Sequence, residues 1–396
     1  MKYIMLNFAY GYGPFLRTTE LAITVSKFLS QKTKQKFGII VPLVYGKKQK
    51  QIMLEEFGVY LKKNPNNIVF DLKLGAILGN LFYGPKGYEE SLVYYVKNLP
   101  QINHQLKTHF SKKIIVSTLN NKKIYLSKKD IALLISRAPR VDLPIRPAYH
   151  SSFAYPSEIL TRACADKNIK FNKKILKLAA AHFQKIEQNH DLHLIAEPAT
   201  FSYLKKRKPL YHGEITTPPN FLPPSKYPCQ SIKKGIYVTI TGIPGLERLF
   251  AEARKLKLTI YTNQTDKIKV SLPATPDIIT CPQIVAHFAR SGWGSVWCSL
   301  YAEKIFIAPR YDKDDDPEIY FNNLCLEKLG LGKIYTGQSL ASLLKFSKIY
   351  KRHSQKIKKE LIKKYKTLNG INYAAKKIVK NYLELRKMAS NKKMTT

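Results

Sequence analysis

The amino-terminal half of the chain alternates short apolar runs with segments of helical periodicity. Residues 3–9 are apolar and lead into a Gly-rich turn at residues 10–14. Apolar side chains then recur at helical spacing over residues 16–29, and residues 37–44 form a second apolar run rich in β-branched side chains. The order strand, turn, helix, strand predicts a βαβ unit. Further strands are predicted at residues 113–117, 131–136 and 193–196, with a helix at residues 175–186.

A Pro-rich segment separates this series from a second one. Residues 216–228 contain two Pro-Pro pairs, which neither a helix interior nor a central strand accepts, so they are predicted to form a linker. Beyond it, a strand at residues 235–241 leads into a turn at residues 242–245 and a helix with one apolar face at residues 246–256. Strands are also predicted at residues 258–262, 268–272, 284–289 and 304–308.

The two series together predict an α/β protein made of two Rossmann-like domains that face a cleft. The tail from residue 345 to 387 is Lys-rich and helical in pattern, with Gly370 between two helices that cross back towards the first domain. The predicted N-terminal domain covers residues 1–215 and is followed by a linker at residues 216–228. The predicted C-terminal domain covers residues 229–340, and the basic helices cover residues 341–396.

The charge of the chain is strongly one-sided. Among 396 residues, 67 Lys and Arg stand against 27 Asp and Glu, which gives a formal net charge of +40. Such a field attracts phosphorylated substrates, acidic lipid headgroups or nucleic acid. A general compositional bias towards Lys explains the charge equally well. Lys is poorly suited to bidentate base recognition, so specific nucleic-acid binding is not expected.

The cysteines and the apolar runs of the sequence indicate in which cellular compartment the protein is expected. Five scattered cysteines form no Cys-x-x-Cys pair, so neither a metal site nor a disulfide framework is expected, and reduced thiols in a cytoplasmic protein fit best. No signal peptide is recognisable at the start of the sequence. The most apolar stretch, residues 68–83, is interrupted by Asp71 and Lys73 and falls short of the roughly 20 residues that a spanning helix needs.

The first Gly-rich turn is a candidate anion or substrate site. Gly11, Gly13 and Phe15 follow a predicted strand and precede a predicted helix, where backbone N–H groups and the helix dipole attract negative charge. Leu16 occupies the place of the third glycine of the dinucleotide fingerprint, which argues against NAD. A simple tight connection between strand and helix is the alternative.

The residues with the clearest chemistry lie between residues 287 and 332. Two glycines allow a close approach of backbone to a ligand, a serine at the helix start suits a phosphate, and an arginine adds a permanent charge. A carboxylate and an amide four residues apart share a helix face and suit the hydroxyls of a sugar. These candidate donor-binding residues are Arg290, Ser291, Gly292, Gly294, Ser295, Glu318 and Asn322, together with Gly242 in the earlier turn. A capped helix followed by a charged loop is the alternative.

This segment resembles the donor-binding half of GT-B glycosyltransferases, most closely the peptidoglycan N-acetylglucosaminyltransferases that act on an undecaprenyl-linked lipid. Arg290-Ser291-Gly292 matches their Arg-Ser/Ala-Gly turn, and residues 305–309 match their apolar strand ending in Pro. Glu318 and Asn322 fall at the Gln and Asn of their Gln-x-x-x-Asn helix start, and Leu326 and Gly330 match a Leu-x-x-x-Gly segment. The resemblance implies a nucleoside diphosphate sugar as donor, most simply UDP-linked, with no metal and no further cofactor.

Two departures from that family concern its catalytic and ribose-binding positions. Phe15 stands where the family has a His, which is the base in related transferases, and Cys298 stands where a Glu binds the ribose. His150, in a polar and aromatic segment predicted to be a loop, is the candidate general base, although a surface His is the simpler interpretation. Asp142 and Glu20 are weaker candidates. His190 and His193 lack a third residue at metal-ligand spacing.

The favoured interpretation is therefore a metal-independent glycosyltransferase. The alternative is a degenerate GT-B protein that binds a ligand or partner without catalysis, as the replacements at Phe15 and Cys298 suggest. The basic tail and the family likeness further predict a lipid-linked or membrane-bound acceptor, with the protein in the cytoplasm and held peripherally at the anionic inner membrane face.

Overall fold

The structure is a computed structural model that describes residues 1–9, 11–81, 87–220, 227–239 and 246–394. The chain divides into two compact units. The first unit comprises Met1–Ala196, Lys208–Asn220 and Ile371–Thr396, and the second comprises Glu197–Arg207 and Phe221–Gly370. The predicted turn residue Gly242 lies outside the described residues.

The first unit is an α/β layer structure with one large sheet. Its strands are β1 (Lys2–Phe8), β2 (Phe37–Pro42), β3 (Ile68–Asp71), β4 (Ile114–Ser117), β5 (Lys123–Leu126), β6 (Ile131–Arg137), β7 (Ala148–Ser152), β8 (Leu192–Ala196) and β9 (Glu214–Thr217). Its helices are α1 (Tyr12–Thr33), α2 (Gly46–Lys63), α3 (Leu72–Gly79), α4 (Tyr88–Ser111), α5 (Pro156–Ala165), α6 (Lys173–Glu187) and the last helix of the chain, α12 (Gly370–Met394).

The strand order of this sheet is β5-β4-β3-β2-β1-β6-β7-β8-β9. All neighbours pair in parallel except at the β5 edge, where β4 runs antiparallel to β3 and to β5. Strand β1 pairs with β2 on one side, with Ile4 opposite Ile39, and with β6 on the other, with Met5 opposite Leu134. The order reverses between β1 and β6, so their carboxyl ends mark the switch point at which open α/β sheets bind ligands.

The core of the first unit is built from sheet and helix residues that are fully buried. Ile4, Ile39 and Leu133 of the sheet pack in one cluster with Val25 of α1 and Ile378 of α12. The last helix therefore belongs to the first unit, as the prediction of a returning tail required, whereas the helix before it, at Ser347–Tyr365, belongs to the second. Apolar side chains on one face of α12 explain this assignment, because only burial removes them from water.

The second unit contains a smaller, wholly parallel sheet. Its strands are β10 (Gly235–Thr239), β11 (Thr259–Thr262), β12 (Leu272–Pro273), β13 (Ile284–Ala289), β14 (Ile305–Pro309) and β15 (Lys333–Tyr335). Its helices are α7 (Glu247–Lys255), α8 (Trp293–Ala302), α9 (Pro317–Lys328), α10 (Leu340–Leu344) and α11 (Ser347–Tyr365). The strand order is β12-β11-β10-β13-β14-β15, so the switch point lies between β10 and β13.

A disulfide in the second unit corrects one prediction. Cys229 and Cys281 are bonded, with Cα atoms 5.5 Å apart, and both belong to an apolar cluster around Tyr237 and Tyr261. The expectation that all five cysteines are reduced is therefore wrong for this pair. The two residues stand 52 positions apart, and no short spacing signalled the bond.

The prediction of two α/β halves with Rossmann-like parallel sheets is confirmed. Several local predictions are wrong. The strand predicted at residues 268–272 reduces to Leu272–Pro273, since the residues before it form turns. Residues 216 and 217, predicted as linker, end strand β9. Residues 197–207 pack with the second unit, although the prediction placed them in the first domain.

Candidate functional site

The predicted donor-binding turn lies at the switch point of the second sheet. Arg290 follows the last residue of β13, and Gly292 is the residue before the first turn of α8. Strand β13 is buried because helices cover both faces of a parallel sheet, and its apolar run ends where the chain must leave the sheet. The turn therefore stands at the edge where parallel α/β sheets bind their ligands.

The amino end of α8 has no cap from its own side chains. Gly292 has extended φ and ψ angles of −69° and 136°, and no side chain caps the helix. The N–H groups of Ser295 and Val296 donate to the Gly292 carbonyl at 3.0 and 3.2 Å. The N–H groups of Trp293 and Gly294 have no acceptor within the part of the chain that the structure describes. Two free donors and the helix dipole favour an anion here.

The glycines of this turn leave room for such an anion. Apart from its chain neighbours and the α8 backbone, a Cβ atom on Gly292 or on Gly294 would meet no atom of the described residues within 4 Å. Neither residue has a positive φ, so the backbone itself does not require glycine at either position. Ser295, half-buried, stands in the same first turn with its hydroxyl available for a phosphate oxygen.

Arg290 is held by a carboxylate of the loop that precedes α9. Its Nε donates to Asp315 Oδ2 at 3.0 Å, and its Nη2 donates to Asp315 Oδ1. Burial disfavours the charge of the guanidinium, but Asp315, Asp316 and Glu318 together raise the pKa of Arg290 above its ordinary value. The arginine therefore stays charged, and its position is fixed by a bidentate ion pair.

Asn322 belongs to a buried hydrogen-bond network beneath the turn. Its Oδ1 accepts from Trp293 Nε1 at 2.8 Å and from Thr200 Oγ1 at 2.8 Å. Its Nδ2 donates to the Ser291 carbonyl at 2.8 Å and to Glu318 Oε1 at 3.2 Å. Asn322 is fully buried and its hydrogen-bonding capacity is used, so it does not reach a sugar hydroxyl as predicted.

The network nevertheless explains why these residues occur together. Ser291 is buried, with its carbonyl held by Asn322, while Glu318 is partly exposed and its Oε1 accepts from Asn322. Thr200 is used within the protein as well, because its hydroxyl donates to Asn322 Oδ1 at 2.8 Å and accepts from Trp293 Nε1 at 2.9 Å. Sequence reasoning missed Thr200, since its partner Asn322 lies 122 positions away.

The Gly-rich turn of the first unit differs from its prediction. Gly11 has a φ of 128°, which only glycine adopts readily, and its N–H donates to the hydroxyl of Tyr45. Helix α1 begins at Tyr12, so Gly13 lies within the helix and not in a loop. Phe15 is fully buried against Phe8 and Tyr45, so it packs in the core and does not face an acceptor.

The predicted catalytic His150 is a core residue. It lies in the middle of strand β7, not in a loop, and is fully buried. Its ring stacks on Tyr155 at 5.0 Å between centroids and lies 5.7 Å from both His190 and His193. Burial and the neighbouring imidazoles lower its pKa well below the ordinary value. The prediction of an accessible loop base is wrong.

The remaining candidates of the first unit also lie away from an open site. Asp142 pairs with Arg146 at 3.0 Å on the surface. Glu20 pairs with Arg17, and burial raises its pKa above the ordinary value despite that arginine. His193 stacks on Tyr211 at 4.8 Å, and burial lowers the pKa of His193 to about 4.

Several functional features are absent from the described residues. Within the described ranges, no three His, Cys, Asp or Glu side chains are arranged to hold a metal ion. In the same part of the chain, none of the helices combines the length and the apolar character needed to cross a membrane. Cys298, which replaces the ribose-binding Glu of the resembling family, is buried in the apolar cluster around Tyr237.

Comparison with solved structures places the fold. A UDP-glucosyltransferase from Polygonum tinctorium matches with a TM-score of 0.59 and 12% identity, over 96% of this chain and 98% of that chain. Phytolacca americana UGT2, complexed with UDP-2-fluoro-glucose, matches with a TM-score of 0.60 and 12% identity over 96% and 100%. Arabidopsis thaliana UGT89C1, complexed with UDP-L-rhamnose, matches with a TM-score of 0.58 and 11% identity, over 96% of this chain and 98% of that chain.

These likenesses establish the fold class. The chain has the two-domain fold of UDP-glycosyltransferases, so the predicted GT-B architecture is confirmed. No protein-family model and no curated protein sequence matches the chain. What the fold is used for must be argued from the turn, the arginine and the carboxylate described above.

Proposed function

We propose that the protein is a glycosyltransferase that moves a sugar from a nucleoside diphosphate sugar, preferably UDP-linked, to an acceptor. The observation that supports this most directly is the amino end of α8 at the switch point of the second sheet, where two N–H groups beside Arg290 have no acceptor among the described residues. The solved structures of the same fold with bound UDP-sugars lend support.

In this proposal each residue of the turn has a defined task. The acceptor hydroxyl oxygen bonds to the anomeric carbon as the bond between that carbon and the diphosphate breaks, and the hydroxyl proton passes to solvent. The negative charge that develops on the leaving diphosphate is stabilised by the α8 N–H groups, the Ser295 hydroxyl and Arg290. These groups take the place of a metal ion, and no cofactor takes part. The partly exposed carboxylate of Glu318 accepts hydrogen bonds from hydroxyls of the donor sugar, while Asn322 fixes its orientation.

The double variant Arg290→Ala with Ser295→Ala tests this pocket. It should weaken UDP binding by a few kcal/mol, because each charge-assisted hydrogen bond contributes about 1.5–3 kcal/mol. Isothermal calorimetry with UDP measures the change, and Arg254→Ala, an exposed arginine of the same unit, serves as the control. Unchanged affinity in the folded double variant would place the donor elsewhere.

For the acceptor, we propose a lipid-linked or membrane-bound molecule. Cationic side chains repeat at helical spacing along one face of α11, where Lys348, Arg352, Lys359 and Lys363 are all exposed. Ile349 is 59% exposed and Ile362 is 47% exposed beside this stripe. On α12 the apolar positions pack inside the first unit, so α11 is the better candidate for contact with an anionic membrane.

Sedimentation with vesicles tests the membrane contact. With phosphatidylglycerol-containing vesicles at low salt, we expect docking that falls as salt rises, since the Debye length shortens to about 8 Å at physiological ionic strength. The variant Lys348→Glu, Arg352→Glu, Lys359→Glu should stay in the supernatant. Its control reverses the same number of exposed charges on α12, at Lys376, Lys380 and Lys387. Equal loss in both variants, or no docking by the native chain, would remove the membrane from the proposal.

We further propose that the protein is located in the cytoplasm, at the inner membrane face. One observation argues against this location. The Cys229–Cys281 disulfide is of a kind that persists in oxidising compartments and is rare in the cytosol. Acid quenching of intact cells, followed by alkylation of free thiols in denaturant, separates the two locations, because Cys281 is buried in the folded protein. Labelling of Cys229 and Cys281 supports the cytoplasm, and protection of both rejects it.

A second candidate function is ligand binding without transfer. The burial of Phe15, where related transferases have a catalytic His, favours it. A donor screen by ligand-observed NMR with UDP-, GDP- and dTDP-sugars, followed by a hydrolysis assay of the best binder, separates the two candidates. Binding with slow hydrolysis supports the transferase, and binding without any turnover supports the degenerate protein.

A further inference from the structure

The carboxylate of Asp315 contacts one particular edge of Arg290. It accepts from Nε and from Nη2, the two nitrogens on the side of the guanidinium. Arginine carries five N–H donors, so this contact uses two of them and leaves the two N–H groups of Nη1 and one of Nη2. The remaining donors lie on the end of the guanidinium, where they match two oxygens of a phosphate.

Asp315 is itself held in place. Its Oδ1 accepts from the Asp316 N–H at 2.7 Å, and its carbonyl accepts from the Tyr311 hydroxyl at 3.0 Å. Asp316 in turn caps α9, because its Oδ1 accepts from the Glu318 N–H at 2.9 Å. Arg290 is therefore connected, through one short loop, to the start of the helix that carries Glu318.

The hydrogen bonds that begin at Arg290 lead back to the residue next to it. From Glu318 the hydrogen bonds continue to Asn322 and from Asn322 to the carbonyl of Ser291, the residue after Arg290. The orientation of the guanidinium relative to the turn is thus determined by a closed ring of contacts. A side chain with 33% exposure and many rotamers would otherwise be free to turn towards solvent.

The charge of the loop has a second effect. Residues 312–318 carry five carboxylates and one lysine, in a chain whose overall charge is +40. The carboxylate of Asp315 competes with any incoming anion for the side edge of Arg290, and its charge weakens long-range attraction of anions in general. An anion is then favoured only if it meets the end edge of the guanidinium and the α8 N–H groups together.

We infer that Asp315 is a positioning residue of the diphosphate site, which orients Arg290 towards a phosphoryl group and disfavours small anions that lack the rest of the donor. The inference rests on the proposed function for the identity of the ligand, but not for the ion pair itself. Asp314 is a matched comparison, because it is exposed, carries the same charge and has no side-chain hydrogen bond or ion pair in the described structure.

The experiment compares Asp315→Asn with Asp314→Asn. In Asp315→Asn, hydrolytic turnover of UDP-sugar should fall about 10-fold or more, since one charged partner is lost and the guanidinium is no longer oriented. Binding of inorganic pyrophosphate should tighten about 3-fold or more, because the competing carboxylate is gone. Asp314→Asn should change turnover less than about 2-fold, and Asp315→Glu should recover part of the lost rate.

A third measurement is independent of ligand. The Arg290 Nε–H resonance should exchange slowly with solvent in the native protein and in Asp314→Asn, and fast in Asp315→Asn. Equal effects of the two asparagine variants on turnover and pyrophosphate binding would overturn the inference, as would unchanged Nε–H exchange in a folded Asp315→Asn protein. If the native chain bound neither UDP nor UDP-sugars, the proposed function would fail while the exchange data still decided the ion pair.

Discussion

The two units carry similar Gly-rich turns at the switch points of their sheets, after β1 and after β13, yet use them differently. In the first unit the turn is occupied by the protein, since the Gly11 N–H donates to Tyr45 and Phe15 fills the core. In the second unit, none of the described residues approaches a Cβ position of Gly292 or Gly294, and the first N–H groups of α8 have no acceptor among those residues. One turn closes the strand-helix connection, and the other leaves it open to a ligand.

The difference shows that glycine spacing alone does not identify a binding site. Gly11 is required by its positive φ, so its presence is explained by the backbone. Gly292 and Gly294 are required neither by φ nor by packing against the described residues, but the same is true of Gly13. What distinguishes the second turn is the pair of N–H groups that have no acceptor in the described structure, next to Arg290.

The largest change in the free energy of unfolding should come from the turn of the first unit, where Phe15 is packed in the core. Phe15→Ala should lower the free energy of unfolding by about 3–5 kcal/mol, because it removes a fully buried ring and leaves a cavity. Ser295→Ala, in the open turn, should stay within about 0.5 kcal/mol of the native chain. Urea unfolding followed by circular dichroism measures both. A small loss in Phe15→Ala would mean that the first turn is not part of the core.

Acidification should destabilise the packed core of the first unit through the buried His193. Burial lowers the pKa of His193 to about 4, so between pH 6.5 and 4 the unfolded chain binds a proton that the folded chain refuses. The contribution of His193 to the free energy of unfolding is fully present above pH 6.5 and is lost as the pH falls towards 4. The loss reaches about 3 kcal/mol, since each unit of pKa difference corresponds to about 1.4 kcal/mol. Glu187, whose pKa burial raises to about 7, acts in the opposite direction.

His193→Phe isolates this contribution, because the aromatic ring can still stack on Tyr211. Its free energy of unfolding should depend less on pH between 6.5 and 4 than that of the native chain, while Glu187 affects both proteins equally. Urea titrations at pH 7.5 and 4.5 provide the four values. The same loss on acidification in both proteins would show that His193 is not the titrating group.

The smallest expected change in free energy concerns UDP binding and distinguishes the two turns directly. Gly13 and Gly294 are both the second residue of a helix, and a Cβ at either position meets nothing within 4 Å. Gly294→Leu should weaken UDP binding about 30-fold or more, or roughly 2 kcal/mol, by filling the space over the free N–H groups. Gly13→Leu should leave UDP binding unchanged. Calorimetry that found equal losses would remove the distinction between the turns.

The sheets could be predicted because their apolar runs and Gly-rich turns follow the periodicities of strand and helix. His150 could not be placed, because residues 149–152 read as polar although they form a buried strand between β6 and β8. In parallel sheets such strands are usually apolar, and here an aromatic and imidazole stack replaces aliphatic packing. The sequence pattern carried no sign of that stack.

The candidate site was predictable in part for a similar reason. Arg290, Gly292 and Gly294 are adjacent in sequence, so their common position follows from local structure. The network beneath them depends on Thr200 and Asn322, which long-range folding alone brings together. Asn322 was expected to contact a ligand because its helix position is suitable, but burial and four protein contacts decide otherwise. Asp315 carried no individual signal within its acidic run.

The place of α12 has a consequence for how the chain is completed during synthesis. Its residues Ile371, Ile378 and Tyr382 pack against strands and helices that were made first, while every residue of the second unit precedes them. The second unit is therefore fully synthesised before the first unit has its last core helix. Domains usually mature in the order of synthesis. Here the part of the protein that is translated first is the last to be finished, and until then it exposes the apolar surface that α12 will cover.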